Sequence, residues 1–244
     1  MAVRLTVVGS SPAWPNPGGA QSGYLVEAGD RRILLDCGPG VLARLRELDG
    51  GWPRVNAVVI THWHLDHWGD LVPWVWGNLV GPGKEKEQAE LWLPPEGRDR
   101  IRDFGARLGW DDMFDQTFVL RDYPQDEPIE VAGFTLVARR LPHYTLLTFG
   151  LRVTNGSRTL AYSGDSGPDQ ALAELARDVD LFVCEATLLR GELDGKPRGH
   201  LSIDEAVAAF EASGARRLLL THRPGELPVD DGLELAYDGL VIEL

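Results

Sequence analysis

The chain has 244 residues, 43% of them hydrophobic, and a formal net charge of −13 at pH 7. That length supports one large α/β domain with a substantial core, and the hydrophobic content sets the chain apart from disordered sequences. Lysine occurs only at Lys84, Lys86 and Lys196, and this acidic balance argues against a long polyanionic partner, because nucleic-acid affinity rests on Lys and Arg meeting phosphates.

The N-terminal apolar stretch, residues 1–8, is too short for a signal peptide and reads as a strand over 4–8, at a sheet edge. Residues 9–23 hold three prolines and four glycines, so they form a loop, and a loop that long is often functional. Residues 24–28 and 32–36 read as a hairpin around Gly29-Asp30, residues 41–48 as a helix, and 55–60 as a buried strand. Residues 67–81 carry Trp68, Trp74 and Trp76 at a spacing that suits a packed helix face or a subunit contact. An exposed loop is expected over 84–90, a short strand over 90–93 and an amphipathic helix over 96–108. Strands follow at 117–120, 129–131 and 134–141, then a hairpin of 149–153 and 158–163 about Asn155-Gly156. A helix over 169–177, a buried strand over 181–184, a helix starting at the Ser202–Glu205 capping box and a strand over 218–220 complete the chain. No composition break divides it, so residues 1–244 are expected to form a single domain. No run approaches the ~18 apolar residues of a membrane span. Cys37 and Cys184 flank apolar runs and read as reduced, buried thiols, so a cytoplasmic protein is expected.

The chemistry concentrates in Thr61-His62-Trp63-His64-Leu65-Asp66-His67, which directly follows the apolar run Val58-Val59-Ile60. A buried strand that runs out into three imidazoles and a carboxylate places metal ligands at the end of a sheet, where open α/β sheets bind ligands. His62 and His64 alternate with another residue, so both can turn into one pocket. Asp66 and His67 are adjacent and are expected to point in different directions, toward a second cation. The same arrangement, an apolar run followed by a metal-capable side chain, recurs at His143, Asp165 and His222. The run ending at His222, Leu218-Leu219-Leu220-Thr221-His222, also echoes 58–62 and suggests two similar halves. The seven candidate ligands are His62, His64, Asp66, His67, His143, Asp165 and His222. A single four-coordinate zinc would leave about three unused, so two divalent cations account for the count better. Nitrogen and oxygen donors without thiolate suit Zn²⁺, with Mn²⁺ or Fe as alternatives.

In that order and spacing, these residues resemble the metallo-β-lactamase superfamily. The resemblance covers nearly the whole chain and implies an α/β fold, the four-layer αββα sandwich with a dinuclear site at one edge. It further implies that His62, His64 and His143 bind one metal, that Asp66, His67 and His222 bind the other, and that Asp165 bridges them. Ser163-Gly164-Asp165-Ser166, Cys184-Glu185-Ala186-Thr187 and Gly199-His200-Leu201-Ser202 resemble ribonuclease Z-like phosphodiesterases. In that branch a histidine at the position of His200 assists the departing group; Glu185 is expected to brace the site and Asp36 to be structural. Only residues 144–164, a plain hairpin, separate His143 from Asp165, where transfer-RNA-processing members carry a long basic arm. The opening loop resembles instead that of bacterial cyclic nucleotide phosphodiesterases of the same superfamily.

The expectation is therefore a hydrolase of small phosphodiesters, with Asp66 and His200 as catalytic residues and a homodimer as its assembly. The rivals are a ribonuclease Z-like endonuclease, a lactone or thioester hydrolase, and a non-catalytic metal sensor.

Overall fold

The computed structural model describes residues 2–84, 87–228 and 232–244. Two sheets face each other. The first contains β1 (Arg4–Gly9), β2 (Gly23–Ala28), β3 (Arg31–Leu35), β4 (Ala57–Val59), β5 (Ala89–Leu93) and β6 (Phe118–Asp122). The second contains β7 (Pro128–Val131), β8 (Phe134–His143), β9 (Leu146–Thr154), β10 (Thr159–Tyr162), β11 (Leu181–Glu185) and β12 (Leu218–Thr221). A last strand, β13 (Val241–Glu243), returns to the first sheet, giving the orders β13-β1-β2-β3-β4-β5-β6 and β12-β11-β10-β9-β8-β7. β1 is therefore not an edge strand, because β13 pairs antiparallel with it, Leu5 opposite Ile242. At three residues β13 falls below the strand length that an alternation pattern reveals.

Burial explains why several strands read as unbroken apolar runs. Ile33 and Leu35 face the second sheet, while Leu34 between them faces the helices, the alternation a pleated strand imposes. Outside the first sheet lie α1 (Val41–Asp49), α2 (Leu65–Trp68), α3 (Leu71–Val80) and α4 (Gly97–Arg107), which bury Leu45, Trp68, Trp74 and Ile101 against it. Outside the second lie α5 (Gln170–Leu175) and α6 (Ile203–Ser213), which bury Leu172, Leu175 and Ala206. Between the sheets sits a third apolar layer including Tyr24, Val26, Phe149, Leu151 and Tyr162. Helices, sheet, sheet and helices are thus the four layers expected.

The tryptophan segment is two helices rather than one, broken at Gly69-Asp70. Trp68 and Trp74 pack inward, whereas Trp76 is 47% exposed beside Trp110. Of the expected 84–90 loop, Lys84, Glu87 and Gln88 are exposed, β5 already begins at Ala89, and residues 85 and 86 lie outside the described residues. The Ser202–Glu205 capping box forms as read. Among the described residues no helix is long and apolar enough to cross a membrane.

Candidate metal centre

Five of the seven candidate ligands lie at or follow strand ends, and the other two, Asp66 and His67, sit on α2. β4 runs out to His62 and His64, β8 ends on His143, β10 is followed by Asp165, and β12 is followed by His222. The apolar run before His143 understates the strand, which continues through Leu141 and Pro142 to His143 itself. Two tight turns, at 144–145 and 155–158, then carry the chain through β9 and β10 to Asp165. The intervening segment is therefore the expected hairpin, β9 paired antiparallel with β10, joined to β8 by a two-residue turn.

Two groups of side chains converge. His62, His64, His143 and Asp165 form one, and Asp66, His67, Asp165 and His222 form the other, each with donor atoms within 4.8 Å of one another. Asp165 belongs to both: its Oδ2 lies 3.7 Å from His62 Nε2 and 3.8 Å from His143 Nε2, and its Oδ1 3.2 Å from His67 Nε2 and 3.5 Å from His222 Nε2. Asp66 and His67, expected to diverge, converge instead, with Asp66 Oδ2 3.4 Å from His67 Nε2. The short helix α2 carries both, and the longer imidazole reaches round to its neighbour.

The far side of nearly every imidazole is tied down. His62 Nδ1 lies 3.0 Å from Thr61 Oγ1, His67 Nδ1 2.7 Å from Asp36 Oδ2, His143 Nδ1 2.6 Å from the Gly199 carbonyl and His222 Nδ1 2.8 Å from Thr187 Oγ1. Each therefore turns Nε2 to the centre, as metal-binding histidines do when an outer hydrogen bond fixes the ring. His64 differs, turning Nδ1 toward His143 Nε2 at 3.0 Å. His62 Nε2, His67 Nε2 and Asp165 Oδ1 are buried without a hydrogen-bond partner. Orphaned buried donors and acceptors are costly, and here they face one another, so the residues fit a bound metal.

Charge leads to the same conclusion. Burial, and then neighbouring imidazoles, hold His62 and His64 below the usual histidine pKa, and burial does the same for His143. They stay neutral, with a lone pair to give. Burial also opposes charge on His67, but Asp165 and Asp36 outweigh it and raise its pKa well above normal. Asp36, Asp66 and Asp165 are three buried carboxylates, and without cations a proton on His67 offsets part of their charge.

A third group, Glu185, His200 and His222, has a different character. Glu185 Oε1 accepts from Ser166 N at 2.8 Å and meets His200 Nδ1 at 2.9 Å, while Oε2 accepts from Thr187 Oγ1 at 2.7 Å. Its oxygens are satisfied, and the group shares His222 with the second. The His200 ring stacks on His222 at 5.7 Å and lies 4.9 Å from His143, between ligands of the two groups. Burial opposes its protonation, but Glu185 overrides burial and lifts its pKa to about 9.

Sequence reading missed part of the support. The roles of Thr61, Thr187 and the Gly199 carbonyl were not read, although Thr61 and Thr187 each lie beside a motif residue. Asp36 accepts from Thr61 N (2.8 Å), Thr61 Oγ1 (2.9 Å) and Tyr162 OH (2.9 Å) as well as meeting His67. Asp36, Tyr144 and His222 adopt positive φ, at 60°, 49° and 55°, and such backbone costs about 1–2 kcal/mol per residue. A groove of about 790 Å³ lies elsewhere, lined by Arg4, Glu27, Arg32 and Asp49 near the opposite ends of β3 and β4 from Asp36 and His62.

The family described as Beta-lactamase superfamily domain matches residues 31–223. The chain belongs to the β-lactamase superfamily. This membership accounts for the αββα layers, and the superfamily is one of metal-dependent hydrolases. The chain is 36% identical to the uncharacterized protein Rv1339 of Mycobacterium tuberculosis, over 99% of this chain and 89% of that one. It is 31% identical to the probable metallo-hydrolase YhfI of Bacillus subtilis, over 91% and 87%. The crystal structure of YhfI superposes with a TM-score of 0.83 at 25% identity, covering 100% of both chains. Ribonuclease Z of Myxococcus xanthus is 27% identical over 304 aligned positions, 99% of this chain and 98% of that one.

Proposed function

We propose that this superfamily member is a dinuclear metal-dependent phosphodiesterase, with Zn²⁺ as the preferred cation. His62, His64 and His143 would hold one cation, Asp66, His67 and His222 the other, and Asp165 would bridge them. Cations there would supply a water activated at neutral pH and positive charge for the phosphoryl oxygens. Asp66 would help orient that water while ligating a cation. His200 gives a proton to the oxygen that leaves phosphorus, a role suited to an imidazole held by Glu185 at 2.9 Å. That pairing, set between the two ligand groups, is the observation that carries the reading. It also disfavours a thioester, whose thiolate leaves without protonation, and a mere sensor, which needs no acid at this point.

The substrate is a small diester, with a 3′,5′-cyclic nucleotide as the first choice. Three features support this. Two tight turns, with no long basic insertion, separate His143 from Asp165. The net charge of −13 repels a long polyanion outside the cation site. The alignment with ribonuclease Z runs to 304 positions against 244 residues here, so that enzyme carries segments without a counterpart in this chain. The test is kcat/KM for cyclic AMP against cleavage of a 3′-extended transfer RNA, at matched salt and metal. Efficient RNA cleavage beside negligible cyclic nucleotide turnover would overturn the substrate while leaving the metal centre intact.

A further inference from the structure

We propose that Asp194 is a positioning residue for this site, fixing the backbone that aims His200 and steadies His143. The proposal rests on the reading of His200 as the group that assists departure. Residues 189–198 belong to neither sheet, and their base is closed by Leu188 N donating to the Leu201 carbonyl at 2.9 Å. Leu189, Arg190, Glu192, Leu193, Gly195, Lys196 and Pro197 are all exposed. The Asp194 side chain, by contrast, is only 4% exposed. A carboxylate is buried under such a loop only if it is well hydrogen-bonded.

Its four bonds show what it holds. Asp194 Oδ2 accepts from Gly199 N at 2.7 Å and from His200 N at 3.0 Å. Oδ1 accepts from Gly195 N at 2.8 Å and from Tyr144 OH at 3.1 Å. The Gly199 peptide is thereby fixed from its N–H side, while its carbonyl meets His143 Nδ1 at 2.6 Å. Tyr144, next to His143, donates its own N–H to the Arg198 carbonyl at 3.1 Å. The Tyr144 ring lies so close to Gly199 that a Cβ there would come within 2.4 Å of it. One carboxylate thus joins the β8–β9 turn to the loop of His200.

His200 is then held at three points: its ring by Glu185, its N–H by Asp194 and its carbonyl by Arg198 at 3.0 Å. With the second point lost, the ring can still reach Glu185, but its other nitrogen no longer has a fixed direction. A misplacement of about 1 Å can cost on the order of 10²-fold in rate.

The experiment is a double-mutant cycle between Asp194→Ala and His200→Ala, with metal content measured on every variant. Substrates are cyclic AMP, which has a poor leaving group, and bis-p-nitrophenyl phosphate, which has a good one. Asp194→Ala should keep its metals and lower kcat on cyclic AMP about 10–100-fold. In the His200→Ala background the same change should cost less than about twofold, because residues acting through one another are non-additive. Asp194→Asn, whose amide oxygen can still take the Gly199 and His200 N–H groups, should recover most of the loss. Amide exchange at Gly199 and His200 should quicken in Asp194→Ala. Additive losses, or wild-type rates in Asp194→Ala, would overturn the proposal. Should the alanine variant fail to fold, Asp194→Glu replaces it, with displaced acceptor atoms and the same criteria. An equal loss on both substrates in His200→Ala would sink the acid role of His200, and the cycle would still judge Asp194 by its coupling.

Discussion

Asp36 Oδ2 and His67 Nδ1 meet at 2.7 Å with both side chains fully buried. The carboxylate fixes which ring nitrogen carries the proton, leaving Nε2 for the centre. Asp36→Asn keeps the backbone at φ 60°, since Asn tolerates the left-handed region. Its amide group can donate to His67 Nδ1, which moves the ring proton to Nε2 and removes the lone pair that a cation needs. Metal affinity should fall about 10–100-fold, read by competition with a chromophoric chelator, while circular dichroism stays native. Unchanged affinity would show that Asp36 only fills space.

The orphaned atoms His62 Nε2, His67 Nε2 and Asp165 Oδ1 set up a thermal test. Chelated protein given Zn²⁺ or Mn²⁺ should rise in Tm, gaining about 2.7 kcal/mol for each site at a free concentration of 100 Kd. Two metals per chain are expected at saturation. Asp165→Ala, which takes an oxygen from both groups, should lose most of the metal-induced rise and abolish hydrolysis. A full rise in that variant would contradict the bridging role.

His200 gives a pH signature. Its pKa is raised to about 9 by Glu185, so the protonated form predominates below that value and is lost as pH rises through it. Cations nearby pull the value downward. The kcat for cyclic AMP should therefore fall along an alkaline limb at or below pH of about 9, while that for bis-p-nitrophenyl phosphate stays flatter. His200→Ala should lower kcat on cyclic AMP by about 10²–10⁴-fold and remove the limb. A limb that persists unchanged in this variant belongs to another group.

Stability carries its own pH dependence at the far groove. Arg32 donates through one nitrogen to both Asp49 oxygens at 2.8 Å, and its Nε lies 3.0 Å from Glu27. Burial pushes the Asp49 carboxyl upward, but hydrogen bonds from Arg32 and Arg54 N outweigh it and leave its pKa below normal. A depressed carboxyl pKa contributes stability that is present above the unfolded value of about 3.9 and is lost as pH falls through the folded value. Asp49→Asn should cost about 1–2 kcal/mol at pH 7, measured by urea unfolding, with the difference closing in acid. A cost independent of pH would assign the effect to packing.

The candidate ligands were legible because His62, His143, Asp165 and His222 each follow an apolar run, a strand end that the sequence marks, and the other three crowd in beside His62. His200 was legible by its motif and by the Ser202 cap two residues on. What holds these residues was not. Thr187 reaches His222 across 35 positions, Tyr162 reaches Asp36 across 126, and Gly199 meets His143 across 56, and no local pattern records such pairings. Asp66 converges with His67 against expectation because adjacency fixes the backbone direction but not the reach of an imidazole. β13 escaped because three residues make no periodicity.

The N–H of His222 donates to the Ser10 carbonyl at 3.1 Å, and Asp238 in turn accepts from Ser10 N at 3.0 Å and from Ala20 N at 2.7 Å. Residues near the two extremes of the chain therefore meet behind the last ligand. During synthesis, six of the seven ligands leave the ribosome before His222, and the carboxylate that pins the 10–20 loop leaves later still. The turn that carries His222 is thus finished only when the last part of the chain is present, so a protein cut short before Asp238 would keep all seven side chains of the proposed centre while losing the hold on the loop behind it.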